Sequence, residues 1–146
     1  MDTDLSAKVL LVDDEKEFVE LLSLRLATRG LKVVAVNCGE QAVALVEKRH
    51  FDVAVIDLSM PGIDGIETLK RIKQTQPDIE VLMLTGHATV ASGVEAMKHG
   101  AGDFLQKPVE INELMDKIKA ASEARREALH RKDAAAVKNI LQTKGW

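Results

Sequence analysis

Cysteine is nearly absent from this sequence of 146 residues: Cys38 stands alone and cannot form an internal disulfide. No run of about 18 apolar residues occurs, so no membrane-spanning helix is expected. The N-terminus, MDTDLSAK, lacks a basic stretch ahead of an apolar core and argues against a secretory leader. Together these absences suit a reducing cytoplasm, and the start at Met1 fits a complete protein. Clustered histidine is missing too: His50, His87, His99 and His130 do not fall at metal-ligand spacing and read as surface residues. Positive charge is in short supply, with 20 Lys or Arg against 23 Asp or Glu. The deficit is uneven, because six bases face three acids from Ser122 onward while residues 1–121 hold 14 bases and 20 acids. An acidic body repels nucleic acid unless the basic tail recruits it, so no nucleic-acid partner is expected.

What is present is the material of one domain: 46% hydrophobic and 29% charged residues, in a chain long enough to bury a core. Phe51 to Gly65, FDVAVIDLSMPGIDG, organises the rest. Its β-branched run stops on Asp57 and gives way to turn residues, the pattern of a strand buried on both faces. Lys8 to Val12 is a second such run, ending in Asp13, Asp14 and Glu15. Phe18, Leu21, Leu22 and Leu26 follow at helical spacing, with Gly30 placed to close the helix. Phe18 and Phe51 read as core. Lys32 to Val36, Ile79 to Leu84 and a short piece within Gly100 to Leu105 supply three more strands. Helical patterns occupy the intervals, and a last one starts at Ile111. Alternating strands and helices predict a doubly wound, five-stranded parallel α/β sandwich of order 2-1-3-4-5, with its crevice between the carboxyl ends of strands one and three.

Those ends carry Asp13-Asp14 and Asp57. Three carboxylates in one crevice repel one another unless a cation neutralises them, and hard oxygen ligands select Mg²⁺ or a similar ion. A purely structural reading also exists, since Asp14 with Glu17 and Asp64 with Glu67 both match a helix capping box. Thr85 and Lys107 stand at the ends of strands four and five, where a hydroxyl and an ammonium can reach one phosphate.

Val-Asp13-Asp14-Glu, Asp57 with Met60-Pro61-Gly62 and Asp64-Gly65, Leu84-Thr85-Gly86-His87, and Phe104-Leu105-Gln106-Lys107-Pro108 resemble the response-regulator receiver domain of two-component signalling. The resemblance covers residues 7–121 and leaves 122–146 as a helical extension or tail. It implies that Asp57 is the phosphoacceptor, taking a phosphoryl group from a phosphohistidine on a sensor histidine kinase. It further implies that Asp13, Asp14, Asp57 and the carbonyl of Ser59 hold Mg²⁺, Asp13 mainly through water. Thr85 and Lys107 would bind phosphoryl oxygens, Thr85 and Phe104 would form a switch, and the Lys107-Pro108 bond would be cis. Ser59 and His87 would tune the lifetime of the phosphorylated state.

Other readings are a phosphorelay intermediate, a phosphorylation-independent adaptor, and an aspartate-nucleophile phosphatase. The last class resembles Asp-x-Asp after a strand, and here residue 59 is Ser. A flavin module would meet Asp13-Asp14-Glu15 where it needs a phosphate cradle. In the tail, Ile118, Leu129 and Ile140 fall on one stripe of a continuous helix with Ser122, Arg125 and Ala136, or Asp133 caps a separate helix. Either form leaves apolar side chains that should pack on the domain, on a second copy in a homodimer, or on a downstream protein.

Overall fold

The computed structural model describes residues 7–86 and 90–143. Five strands, β1 (Lys8–Val12), β2 (Lys32–Val36), β3 (Val53–Asp57), β4 (Glu80–Thr85) and β5 (Asp103–Gln106), form one parallel sheet of order β2-β1-β3-β4-β5. Between and after them run α1 (Lys16–Thr28), α2 (Gly39–Val46), α3 (Gly65–Thr75), α4 (Val90–Lys98) and α5 (Ile111–Thr143). Side chains alternate across each strand, so one chain run feeds two cores. Val9 and Leu11 of β1 and Val53 and Val55 of β3 meet α1 and α5, through Val19, Leu22, Leu26, Leu114 and Ile118. Leu10, Val12, Ala54 and Ile56 meet the opposite layer, through Ala42, Val46, Leu69, Ile72 and Ala96. This two-sided burial is why β1 and β3 are nearly unbroken apolar runs, and why their polar residues appear only at the ends.

The register sets the site. Val12 pairs with Ile56 and Asp57 with Leu84, so β1 and β3 end at the same level and their following acids share one rim. Thr85 pairs with Gln106, and the Lys107 amide donates to the Thr85 carbonyl at 2.8 Å, which places the last two strand tips beside each other. At the start of α3, Gly65 is required by close approach: a Cβ there would lie 2.3 Å from the Asp57 carbonyl oxygen. The preceding Gly62 has φ +80°, a conformation that side chains with a Cβ adopt at a cost.

Several local expectations need correction. Asp64 does cap α3, accepting from the Glu67 amide at 2.9 Å, but Asp14 caps nothing. The helix α1 begins one residue later than the capping box requires, its N-cap residue is Glu15, and that side chain makes no cap. The acid that satisfies a backbone donor there is Asp13, whose Oδ1 accepts from the Glu15 amide at 2.9 Å. Phe18 is only partly buried against the core, and Leu21 is 52% exposed, because the buried stripe of α1 runs through Val19, Leu22 and Leu26. The fifth strand, Asp103–Gln106, falls where the short run within Gly100 to Leu105 placed it, after a turn closed by Gly100 at φ +104°. His50 and His130 are exposed as expected, while His99 bonds Glu95 at 3.0 Å; His87 lies outside the described residues.

The last helix settles the choice between one helix and two. It runs unbroken through Ser122 and Asp133 to Thr143. Its extension lies against the amino-end rim of the sheet, where Arg125 pairs with Asp52 at 2.9 Å and Lys132 with Asp78 at 2.7 Å. Leu129 is half-buried between those two pairs. Beyond them packing on the domain stops: Val137, Ile140 and Leu141 are about half exposed, at 56%, 56% and 49%. No described helix is long and apolar enough to cross a membrane.

Candidate functional site

Asp13, Asp14 and Asp57 each offer a carboxylate oxygen within 4.8 Å of the other two. Asp13 and Asp57 are buried and Asp14 faces solvent, so the cluster is open on one side. Loss of water around the Asp57 carboxylate, reinforced by the charge of Asp13, pushes its pKa up to about 6. The Lys107 ammonium and the Ser59 amide pull the other way without cancelling that rise.

Lys107 enters from the end of β5, with its Nζ 2.8 Å from Asp13 Oδ2, 2.7 Å from Glu15 Oε1 and 3.8 Å from Asp57 Oδ1. Burial alone would lower the pKa of this ammonium, but its close contacts with Asp13 and Glu15 and the charges of Asp13 and Asp57 outweigh that and hold it above its ordinary value. The contact with Asp13 is an ion pair without hydrogen-bond alignment, and Asp13 Oδ2 is left as a buried carboxylate oxygen with no aligned donor. A hard divalent cation answers that deficiency, since Asp13, Asp14 and Asp57 supply charged oxygens and the open side leaves room for water and a phosphate oxygen. The donor set therefore fits Mg²⁺.

Thr85 is buried beside this cluster at the end of β4. Ser59 is exposed in the loop after β3. Phe104 is 39% exposed and lies across Gly93 of α4, where a Cβ would meet its Cζ at 3.3 Å. The Lys107-Pro108 peptide is cis. Of the expected site residues, Asp13, Asp14, Asp57, Thr85 and Lys107 converge at one rim, Ser59 borders it, and Phe104 sits on the outer face of β5.

Three contributors escaped sequence reading. Sequence alone marks Glu15 only as one more acid after a pair, and Phe18 only as a core residue at helical spacing. Glu40 accepts from the Ile63 amide at 3.1 Å and so ties the loop after Asp57 to α2. The sole sequence signal for Glu40 is its place in the first turn of a helix, which does not name its partner.

Residues 9–119 match the family described as the response regulator receiver domain. One relative is the C4-dicarboxylate transport transcriptional regulatory protein DctD of Pseudomonas aeruginosa, 38% identical over 123 residues that cover 84% of this chain and 27% of that protein. Another is the transcriptional regulatory protein TcrA of Mycobacterium tuberculosis, 36% identical over 115 residues, or 79% of this chain and 46% of that one. This chain thus spans less than half the length of these relatives. Among solved structures, a CheY-like receiver domain protein from Methanospirillum hungatei superposes with TM-score 0.81 at 25% identity, covering 84% of this chain and 98% of that one. A response regulator from Burkholderia pseudomallei with a phosphorylated aspartic acid, calcium ion and citrate gives TM-score 0.74 at 25% identity, covering 96% and 86%.

Proposed function

The chain belongs to the response regulator receiver family, and on that premise we propose that it is a phosphoacceptor switch in which Asp57 takes a phosphoryl group from a sensor kinase phosphohistidine. The observation that carries this reading is the position of Asp57, a buried carboxylate at a strand tip, clustered with two further acids and 3.8 Å from an ammonium that also pairs with Asp13. In the transfer an ionised Asp57 oxygen forms the new P–O bond as the P–N bond of the donor breaks, and the electron pair leaves with the imidazole. Such a transition state spreads charge over three equatorial oxygens, so catalysis consists of positioning and compensating charge. Asp14, Asp57 and the Ser59 carbonyl would hold Mg²⁺, with Asp13 mainly through water, and a bound ion would supply compensating charge there. Lys107 supplies a second cation, and the Thr85 hydroxyl a directional donor. The likeness to a solved response regulator bearing a phosphorylated aspartic acid and a calcium ion supports this assignment, because both ions are hard and oxygen-seeking.

Incubation with acetyl phosphate and Mg²⁺, followed by intact-mass measurement, tests it. Gain of one phosphoryl mass is expected; an unchanged mass under conditions that phosphorylate a control receiver overturns it. Thr85 and Phe104 form the switch in this reading, and Ser59 and His87 tune the lifetime of the modified state. Partners are a sensor histidine kinase and a downstream protein, the acidic balance of residues 1–121 disfavours nucleic acid, and the cytoplasm is the compartment.

The tail adds an output surface. Val137, Ile140 and Leu141 are about half exposed on one helix, and a second copy of the same helix is the occupant that would bury them reciprocally. Ile140→Glu is expected to weaken self-association by at least roughly tenfold, because a charge is then buried without a partner. Sedimentation equilibrium of the full chain and the variant, with and without a phosphoryl mimic, measures this. A monomer in every sample removes the tail from self-association.

A further inference from the structure

The ammonium of Lys107 is held by groups other than Asp57. It stands 3.8 Å from Asp57 Oδ1, beyond hydrogen-bond reach, while its one aligned side-chain bond runs at 2.7 Å to Glu15 Oε1. It also lies 4.5 Å from the centre of the Phe18 ring, over its face, an attraction that draws the charge toward α1 and away from β3. Glu15 is the N-cap residue of α1 and Phe18 lies in its first turn, so one helix start supplies both contacts to the same cation. We infer that Glu15 and Phe18 form a resting-state holder for Lys107, with Glu15 a positioning residue that competes with the incoming phosphoryl oxygens for the lysine's N–H groups. This rests on the phosphoacceptor reading above and assigns Glu15 a role in setting the rate of that same step.

The geometry explains why the competition is weak enough to be useful. The Glu15 side chain is 62% exposed, so water screens the pair and its release is easy. Asp13 Oδ2 keeps the ammonium near the site at 2.8 Å without an aligned bond, so the lysine can turn about its last bonds toward Asp57 and stay neutralised. Turning moves Nζ off the Phe18 ring. The ring is therefore a reporter of the resting position, since protons held over an aromatic face are shifted upfield.

The full chain and three variants, Glu15→Gln, Glu17→Gln and Asp57→Asn, test this. Glu15→Gln keeps the size of the side chain and removes the charge that holds Lys107. Phosphorylation by acetyl phosphate at saturating Mg²⁺ and low salt should then be faster by roughly two- to fivefold, the range of an exposed ion pair. Glu17, also exposed in the same helix turn, makes no contact with Lys107, and its neutralisation should leave the rate within error. The two acids thus separate a specific holder from a general effect of net charge on an anionic donor. Side-chain NMR gives a readout apart from activity: the Lys107 ε-methylene protons should be upfield-shifted in the parent and move toward ordinary values with Mg²⁺ and beryllofluoride. In resting Glu15→Gln they should already be partway there. An unaltered phosphorylation rate and an unaltered Lys107 shift in Glu15→Gln overturn the inference; equal acceleration by Glu17→Gln also overturns it. Failure of the parent itself to gain a phosphoryl mass, with Asp57→Asn as reference, would instead be a failure of the phosphoacceptor reading.

Discussion

Asp57→Asn is expected to abolish phosphoryl incorporation altogether, leaving the intact mass unchanged after exposure to a donor and Mg²⁺ that label the parent. The competing carboxylates are placed for other work. Asp13 is fully buried with Oδ1 committed to the Glu15 amide and Oδ2 against Lys107. Asp14 faces solvent with no cation at hand among the described contacts to steady a phosphoryl group. Asp57 combines a buried position at the end of β3 with the neighbouring acids, a nearby Lys107, and the adjacent strand tip that carries Thr85. The same substitution should raise the stability of the metal-free protein, because it removes a carboxylate that burial and Asp13 both oppose. Label retained in Asp57→Asn would move the acceptor to another acid, and a lower melting temperature of the metal-free variant would mean that hydrogen bonds to Asp57 outweigh the charge repulsion.

Mg²⁺ should stabilise the native chain strongly, by about 2.7 kcal/mol when the ion stands at a hundred times its Kd, since the unfolded chain does not assemble the three acids. For a domain of this size that is a rise of roughly 5–10 °C in melting temperature. The pH dependence should change shape with it. Without metal, Asp57 has a folded-state pKa of about 6, above its ordinary value of 3.8. Between those values the native state holds a proton that the unfolded state has lost. Stability contributed by this group is therefore greatest below the ordinary value, declines as pH rises through about 6, and is lowest above it. With Mg²⁺ present, protons and metal compete for the same oxygens, so lowering the pH through that window should weaken the metal's stabilisation. Melting curves at pH 5 to 8, with and without Mg²⁺, taken on the parent and on Asp57→Asn, isolate the contribution, because the difference between the two proteins removes the titration they share. Glu80, whose pKa burial also raises, cancels in that difference. Superposable curves with and without the ion would exclude a divalent site at this rim.

Much of this molecule is local in origin and so legible in the chain itself. A strand buried on both faces must be apolar along its length, and Val53 to Ile56 and Val9 to Val12 are; the first polar residues after such runs must then lie on the rim, which is why sequence alone places Asp13, Asp14, Asp57, Thr85 and Lys107 together. Asp64 as a cap is equally local, because its partner amide is three residues away. Continuity of α5 past Asp133 was not decidable this way, since both one helix and two satisfy the same spacing. It is accompanied in the folded chain by the Arg125–Asp52 and Lys132–Asp78 pairs, whose members are 73 and 54 residues apart. The holding of Lys107 by Glu15, across 92 residues, is of the same kind. Periodicity constrains which face a side chain takes within its own element, but the choice among several acids for one lysine depends on differences of an ångström between strand tips. Those distances exist only after the sheet register and both helical layers have packed.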